Sequence, residues 1–296
     1  MKILVPYDGS SYSQNSLEFV ASRTTLLGRE PEIRLLVVQE PLPERAAALI
    51  AADGVKAYFD DAAEKVLAPA RKFLKKHCIT VEERVLQGDP AEVIAREAEA
   101  FKADLIIMGS RGRTAFAGLF MGSVTTGVLA RTKHPVLMLR GRSAPEDDAL
   151  KVGLCYDGSL YGKTAVKFAM AHKAIFGRAA KFHLIGVAQD MSNVAVPSMG
   201  FGLPKLSVEE VKNLQKEQTE QNFSDVLPLL EKEKVAMKTV SLVGSAGDEI
   251  AAYAKKKLDI LVMGSHGYGR FKSAIMGSTA MRIASQGDVP ILIIRQ

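Results

Sequence analysis

The sequence predicts an α/β fold made of two tandem open, mostly parallel five-stranded sheets with helices on both faces. The first observation behind this prediction is an internal repeat. Three segments return in the same order later in the chain: ILVPYDGS (3–10) as VGLCYDGS (152–159), ADLIIMGSRG (103–112) as LDILVMGSHG (258–267), and HPVLMLR (134–140) as VPILIIR (289–295). A repeat of this length indicates two copies of one folding unit.

The second observation is the alternation of strand-like and helix-like segments within each copy. Runs rich in Val, Ile and Leu predict strands at 2–6, 33–39, 80–86, 104–108 and 135–140 in the first copy, and at 151–155, 181–188, 236–243, 259–263 and 290–295 in the second. Helical patterns lie between them, the longest at 55–76 and 207–232. Strands that alternate with helices form parallel sheets, whose ligands bind beyond the carboxyl ends of the strands.

The repeat also predicts where one domain ends and the next begins. We expect the first domain at residues 1–143 and the second at 147–296. The stretch between them, GRSAPEDDA at 141–149, is short, polar and proline-containing, as domain linkers usually are.

Composition and charge argue against several functional classes. No apolar run approaches the roughly 18 residues of a membrane span, and the start MKILVPYDGS reaches Asp8 too soon for a signal peptide. We therefore expect a cytoplasmic protein without a membrane partner. The two cysteines, Cys78 and Cys155, fit neither a disulfide framework nor a zinc site. The net charge of +6 permits weak nucleic-acid contact, but the charges are dispersed and aromatic residues are few, which favours a solvated surface.

Both copies carry the same glycine spacing after their fourth strand. Two residues separate the first pair of glycines, nine follow, and a Gly-Ser pair closes the motif: Gly109, Gly112, Gly122 and Ser123, and then Gly264, Gly267, Gly277 and Ser278. Each Gly-Ser pair opens a helical segment, whose exposed N–H groups and positive end favour anions. The motif therefore predicts a phosphate site in each copy. In the alternative interpretation the glycines only form turns and the serines only cap helices.

With this motif the chain resembles a tandem universal stress protein, of the subgroup whose G-x-x-G-x(9)-G-[S/T] motif binds ATP. The resemblance covers both copies nearly end to end and includes the aspartate after the first strand, Asp8 or Asp157. The turn Gly88-Asp89-Pro90 also matches the family, whereas its counterpart Gly244-Ser245-Ala246 lacks the proline. The resemblance implies a Rossmann-like fold and a stress-response regulator with one adenine-nucleotide site per domain. The bound nucleotide would be ATP, ADP or AMP, with any Mg²⁺ held through the phosphates.

The resemblance also implies a role for each matching position. Asp8 and Asp157 would face the ribose and adenine. Val38 and Val187 would contact adenine, and Met108 and Met263 would line the nucleoside pocket. Those that would surround the phosphates are Gly109, Arg111, Gly112, Gly122, Ser123 and Val124 in the first domain, and Gly264, His266, Gly267, Gly277, Ser278 and Thr279 in the second.

Two substitutions predict a weaker nucleotide site in the second domain. Cys155 stands where the family and the first domain, at Pro6, have proline. His266 replaces Arg111, so positive charge near the phosphates depends on protonation of the imidazole or on Arg270 and Lys272.

The segment YDGSLYGKTA at 156–165 looks like a Walker phosphate loop that ends in Gly162-Lys163-Thr164. However, Gly158 lies four residues upstream of Gly162, where the motif needs five. The counterpart in the first copy, YDGSSYSQNS, lacks the Gly-Lys-Thr sequence. We therefore interpret Lys163 as a residue of a first helical turn and expect the phosphates at the glycine motif.

Two other functions stay open at this stage. One is a slow or partner-dependent ATPase, although no Walker pair, carboxylate cluster or catalytic triad recurs in both copies. The other is RNA binding, because GSRG and GSHG resemble the GXXG loop of KH domains. The surrounding βαβ repeat does not match a KH fold. A downstream protein partner is expected, but its identity is not evident.

The last strand of each copy predicts how the domains associate. An exposed apolar edge strand invites pairing, and a single-domain universal stress protein typically dimerises through its last strand. The resemblance therefore implies an intramolecular pseudo-dimer through 135–140 and 290–295. The short linker holds the two copies at high effective concentration, which favours pairing within one chain. A homodimer of the full chain through other surfaces stays open.

Overall fold

The structure is a computed structural model that describes residues 1–43, 52–110, 121–140, 148–188, 208–266 and 276–295. All ten predicted strands are present, with ends within two residues of the predicted ones. They are β1 (Lys2–Pro6), β2 (Glu32–Gln39), β3 (Glu82–Gln87), β4 (Leu105–Gly109), β5 (Val136–Leu139), β6 (Lys151–Cys155), β7 (Lys181–Ala188), β8 (Ala236–Val243), β9 (Ile260–Gly264) and β10 (Ile291–Ile294).

The described helices lie between these strands in the predicted order. They are α1 (Ser11–Ser22), α2 (Thr24–Leu27), α3 (Ala52–Lys76), α4 (Pro90–Phe101), α5 (Ser123–Arg131), α6 (Leu160–Ala171), α7 (Val208–Phe223), α8 (Leu227–Lys232), α9 (Ala246–Lys257) and α10 (Ser278–Gln286), with a 3₁₀ turn at Lys173–Phe176. The prediction of one helix over 207–232 is wrong, because the helix is interrupted between α7 and α8. Pro228 has no N–H and its ring clashes with a preceding helical turn, so it is accommodated only in the first turn of a new helix.

The strands form one continuous sheet in the order β3-β2-β1-β4-β5-β10-β9-β6-β7-β8. Neighbouring strands are parallel within each half, whereas β5 and β10 pair antiparallel with Leu137 opposite Leu292. The two predicted five-stranded sheets therefore join into one ten-stranded sheet. This pairing confirms the predicted pseudo-dimer, and it turns the two apolar edge strands into central ones.

Helices cover both faces of the sheet, as the continuous apolar strands require. One core layer packs α1, α2, α3, α6, α7 and α8 against alternate strand residues. The other packs α4, α5, α9 and α10 against the opposite face. Each layer contains residues of both halves, so the core runs without interruption across the β5–β10 seam.

A second contact joins the halves away from the seam. The Asp148 carboxylate accepts hydrogen bonds from the Thr24 hydroxyl at 2.8 Å and from the Thr25 N–H at 2.7 Å. The Thr25 hydroxyl in turn accepts from the Arg178 N–H at 3.1 Å. The start of the second half therefore binds the start of α2 in the first half, where free N–H groups and the helix dipole favour a carboxylate.

Candidate functional site

Each half has a change of strand order that opens a crevice at the carboxyl ends of its strands. In the first half β1 lies between β2 and β4, and in the second half β6 lies between β7 and β9. The connections after β1 and β4 therefore leave on opposite sides, as do those after β6 and β9, and such switch points are where ligands bind in open α/β sheets. In the second half the described residues enclose a cleft with a volume of about 480 Å³.

Most of the site residues predicted for the second domain line this cleft. They come from four separate parts of the chain, namely the turn after β6, the end of β7, the end of β9 with the residues that follow it, and the start of α10: Asp157, Val187, Met263, Gly264, His266, Gly277, Ser278 and Thr279. Gly267, Arg270 and Lys272 lie outside the described residues. The fold therefore brings together, in one cleft, the predicted site residues of the second half that lie within the described ranges.

The start of α10 lines the cleft. The N-cap residue is Gly277, which has no side chain with which to cap the first-turn N–H groups. Helix α5 begins in the same way at Gly122. The alternative in which Ser123 and Ser278 cap these helices is therefore wrong, because both serines are the first helical residue. Their side chains are exposed, and the uncapped helix starts favour an anion.

Gly109 and Gly264 have a packing role that the motif alone did not indicate. A Cβ at Gly264 would lie 2.7 Å from the backbone carbonyl carbon of Tyr161, and a Cβ at Gly109 would lie 2.7 Å from the backbone oxygen of Tyr12. The ends of β9 and β4 therefore pass directly against the first turns of α6 and α1. These two glycines allow helix and strand to touch, whatever else approaches them.

The aspartate after the first strand sits in the same turn in both halves. The Ser10 N–H and hydroxyl donate to Oδ1 of Asp8 at 3.0 and 2.6 Å, and the Ser159 N–H donates to Oδ1 of Asp157 at 3.0 Å. Both carboxylates are thereby fixed at the carboxyl end of a central strand. Asp157 is exposed at the cleft, where it is available to accept hydrogen bonds from a hydroxyl-bearing ligand.

One wall of the cleft is apolar and includes a thiol. Cys155, Ile185 and Met263 project from three adjacent strands into the same core layer and also line the cleft. Burial, followed by the charge of Asp157, raises the pKa of Cys155 to about 12. The thiol is therefore neutral at pH 7 and contributes an apolar surface to the cleft.

His266 lines the cleft after the end of β9. Its Nδ1 is 3.1 Å from the Ser265 hydroxyl, and its ring is 5.5 Å from the ring of Tyr161, centroid to centroid. The imidazole is half-buried and lines the same cleft as the start of α10.

The first half repeats this arrangement in the part of the chain that the structure describes. Val38 packs against the same core layer as Met108, at the ends of β2 and β4. Val124 also packs against this layer, next to the helix start at Gly122 and Ser123. Arg111 and Gly112 lie outside the described residues.

The cleft also contains residues that the sequence analysis did not predict. They are Tyr156, Gly162, Ile185, Ala246, Ile250, Ser265, Met276 and Ala280. Ile185 was accessible to prediction, because it precedes the predicted Val187 by two residues and so faces the same side of β7. Ala246 was accessible too, since it follows the Gly244-Ser245 turn after the third strand of the repeat.

The Walker-like segment of the second half is a capped helix start. The Ser159 hydroxyl accepts the Gly162 N–H at 3.1 Å, and Thr164 donates its hydroxyl to the Leu160 carbonyl at 2.9 Å. In a phosphate loop the backbone N–H groups of this segment would point at the anion. Here the N–H of Gly162 is already satisfied by the N-cap serine.

Lys163→Ala is therefore expected to leave nucleotide affinity within about threefold of the wild-type value, or ~0.7 kcal/mol. The change should be measured by calorimetry with ATP, with Lys167→Ala, one turn further along α6, as the matched control. A hundredfold loss confined to Lys163→Ala would restore the Walker interpretation.

Two further properties concern membranes and metals. No helix in the described ranges is long and apolar enough to cross a bilayer. Within those same ranges, no three His, Cys, Asp or Glu side chains come together in a group that could hold a metal ion.

The fold defines a class of protein: tandem α/β chains in which the strand order of each half changes beside its first strand. The profile of the universal stress protein family matches residues 1–140 and 150–295. The chain therefore belongs to the universal stress protein family, whose members are stress-response proteins, and it carries the family's domain twice.

Two relatives are similar to this chain in sequence, and one solved structure is similar to it in fold. A universal stress protein of Thermus aquaticus is 36% identical over 145 residues, which are 47% of this chain and 97% of that protein. A universal stress protein of Synechocystis sp. is 25% identical over 317 aligned positions that cover 99% of both chains. The crystal structure of a universal stress protein from Archaeoglobus fulgidus superposes with a TM-score of 0.68 at 22% identity, covering 100% of this chain and 96% of that one.

Proposed function

We propose that each half of the chain binds one adenine nucleotide, with ATP as the leading candidate, and that the protein acts as a nucleotide-dependent regulator of a stress response in the cytoplasm. The observation that carries this proposal is the cleft of the second half. It combines an apolar wall, a fixed carboxylate and an uncapped helix start within a volume of about 480 Å³. The apolar wall suits a base, the carboxylate suits a ribose, and the helix start suits a phosphate chain.

The adenine and ribose ends of the proposed site rest on the strand ends. An apolar wall built from Ile185, Val187 and Met263 suits the faces of a purine ring. Asp157 would accept hydrogen bonds from ribose hydroxyls, and its charge favours that end of the ligand because it would repel phosphates. The same roles in the first half fall to Val38, Met108 and Asp8.

The phosphate end of the proposed site rests on the helix starts. The first N–H groups of α10 are not bonded by any cap side chain, so they fit a ligand that supplies oxygen acceptors. Ser278 and Thr279 add hydroxyl donors beside them. A Mg²⁺ ion accompanying the nucleotide would be held through the phosphates.

We further propose that the first half binds more tightly. The reason is chemical: Arg111 carries a permanent charge, whereas His266 is cationic only when it is protonated. The helix starts of the two proposed sites are alike, since both have glycine as the N-cap residue, whereas the first strand ends in Pro6 in one half and in Cys155 in the other.

The proposed sites are tested by adding one side chain to each helix start. Gly122 and Gly277 have ordinary extended backbone angles, with φ of −68° and −62°, so the backbone tolerates valine there. At Gly277 the new side chain would intrude on the cleft that this residue lines. Isothermal titration calorimetry with ATP is expected to show one equivalent lost in Gly277→Val, the other lost in Gly122→Val, and none bound by the double variant.

Gly287→Val is the matched control for this experiment. Gly287 lies at the opposite end of α10, and a Cβ there would meet its nearest neighbour at 3.7 Å, an ordinary contact. This variant should retain two equivalents. A Gly277→Val protein that also retains two would contradict the assignment of the second site.

A further inference from the structure

The amino-terminal end of the half-sheet differs sharply in charge between the two repeats. In the first half, cations and carboxylates alternate and pair. Lys2 lies 3.4 Å from Glu32 on the neighbouring strand, and Arg34 contacts Glu82 at 2.6 Å and Glu97 at 2.7 Å. The positive charges on this surface are therefore balanced by neighbouring carboxylates.

The second half keeps the backbone register but replaces the carboxylates. Lys151 on β6 stands opposite Lys181 on β7, as Lys2 stands opposite Glu32. His183 stands opposite Lys238 on β8, as Arg34 stands opposite Glu82. Tyr253 on α9 takes the place of Glu97, and its hydroxyl is 3.0 Å from His183 Nδ1. Three carboxylates have thus become two lysines and a tyrosine.

The three lysines, Lys151, Lys181 and Lys238, form what we call the basic cluster. They share one face of the sheet, because alternate residues on the same strands, such as Cys155 and Ile185, enter one core layer. All three side chains are exposed. In the described part of the chain, none of them lies in an ion pair with Asp or Glu.

The positive charges of the basic cluster affect the pKa of His183, which is buried beside them. Burial, followed by the charges of Lys238 and Lys151, lowers the pKa of His183 to about 4, against the opposing charge of Asp259. The imidazole is therefore neutral at pH 7. The positive potential at this point is a property of the assembled surface, since the lysines are far apart in the sequence.

The basic cluster adjoins the open edge of the sheet. Strand β8 is terminal in the strand order, and no other described strand pairs with its outer side. Its sequence, AMKTVSLV, has one charged residue in eight. The opposite edge strand, β3, reads EERVLQ and carries three charged residues in six. Charged edge strands resist pairing, whereas β8 lacks that protection.

We propose that this surface binds an acidic, extended segment of a partner protein, which lies along β8 with its carboxylates over the basic cluster. Charge complementarity selects the acidic side chains, and the open edge supplies main-chain hydrogen bonds to an extended strand. The surface lies at the opposite end of the strands from the nucleotide clefts, so this interaction goes beyond the proposed nucleotide binding.

A nucleic acid fits the same surface less well. Non-specific binding of single strands uses aromatic rings as stacking platforms for bases. The aromatic residue here, Tyr253, is half-buried, has its hydroxyl at His183, and has the Lys238 ammonium 6.0 Å from its ring centroid. The basic cluster also contains no arginine, the residue that best reads bases and phosphates through two parallel hydrogen bonds.

The proposal is tested with the full chain and a labelled peptide in which glutamate alternates with threonine. Fluorescence anisotropy should show binding that weakens as salt is raised, because exposed charges are screened. The double variant Lys181→Glu/Lys238→Glu restores the carboxylates of the first half. It is expected to weaken peptide binding by about tenfold or more, since two attractive charges become repulsive.

Matched controls separate this effect from net charge and from folding. Lys72→Glu/Lys75→Glu makes the same charge change at exposed positions of α3, and it should alter binding by less than about threefold. A peptide with glutamine in place of glutamate should not bind. Thermal melts of both variants check that they remain folded.

Three results would overturn the proposal. The first is equal binding of the glutamate and glutamine peptides, and the second is an equal loss in the α3 control. The third is tighter binding of a labelled oligothymidylate than of the acidic peptide, which would identify a nucleic-acid surface instead.

Discussion

Replacing Leu137 by proline is expected to lower the free energy of unfolding by at least about 3 kcal/mol, because it breaks the strand that joins the two halves. Leu137 is fully buried and lies between Ile107 on the parallel neighbour β4 and Leu292 on the antiparallel neighbour β10. A proline there cannot donate to either ladder, and proline is tolerated only at sheet edges or bulges. Chemical denaturation followed by circular dichroism measures the loss.

Leu137→Ile is the control for this prediction, since it keeps the volume and the N–H and should cost less than about 1.5 kcal/mol. The same seam predicts the behaviour of the proposed domains when they are made separately. Fragments 1–143 and 147–296 should associate when mixed, or each should form its own dimer through the freed edge. An unchanged denaturation midpoint for Leu137→Pro, or two fragments that stay monomeric alone and mixed, would contradict the role of the seam.

Gly177→Ala is expected to destabilise the chain by about 3 to 5 kcal/mol, through backbone strain and a direct clash. Gly177 has a φ of +94°, which side-chain-bearing residues rarely adopt, and a Cβ there would lie 1.8 Å from the backbone oxygen of Asp148. Asp148 in turn accepts the Thr25 N–H at the start of α2, so its displacement would also loosen the second contact between the halves.

The repeat itself provides the control. Gly28 occupies the matching position of the first half, but its φ is −64° and a Cβ would meet its nearest atom at 3.3 Å. Gly28→Ala should therefore change the free energy of unfolding by no more than about 1 kcal/mol. Equal losses in the two alanine variants would show that the contact of Gly177 with Asp148 is not what fixes this glycine.

These two positions illustrate how much of the fold was predictable. The repeat also pairs LLGRE at 26–30 with IFGRA at 175–179, the segments that precede β2 and β7. They did not distinguish Gly28 from Gly177, because the difference arises from Asp148, which approaches in three dimensions. The strands were predictable to within two residues since their apolar runs are bounded by polar turns. The break between α7 and α8 was missed because the helical periodicity continues across Pro228.

The candidate site divides in the same way. Asp157, Met263 and Gly277 were predictable because the repeat duplicates their motifs, and the topology does gather them around one cleft. The close approach of Gly264 to Tyr161 was not predictable, since it depends on how α6 packs against β9.

Surface charge was the least accessible property. The basic residues look dispersed along the chain, yet the parallel register sets Lys151 opposite Lys181 and Lys238 one strand further on. Register depends on which strands become neighbours, and composition carries no information about it.

Counting the nucleotides bound to the full chain tests the proposed function most directly. The purified protein should be titrated with ATP and examined by native mass spectrometry, with the bound molecules identified after denaturation. We expect two adenine nucleotides per chain at saturation, with the site in the first half binding more tightly than the site in the second half. A chain that binds none, or that saturates at one, would contradict the proposal of one nucleotide site in each half.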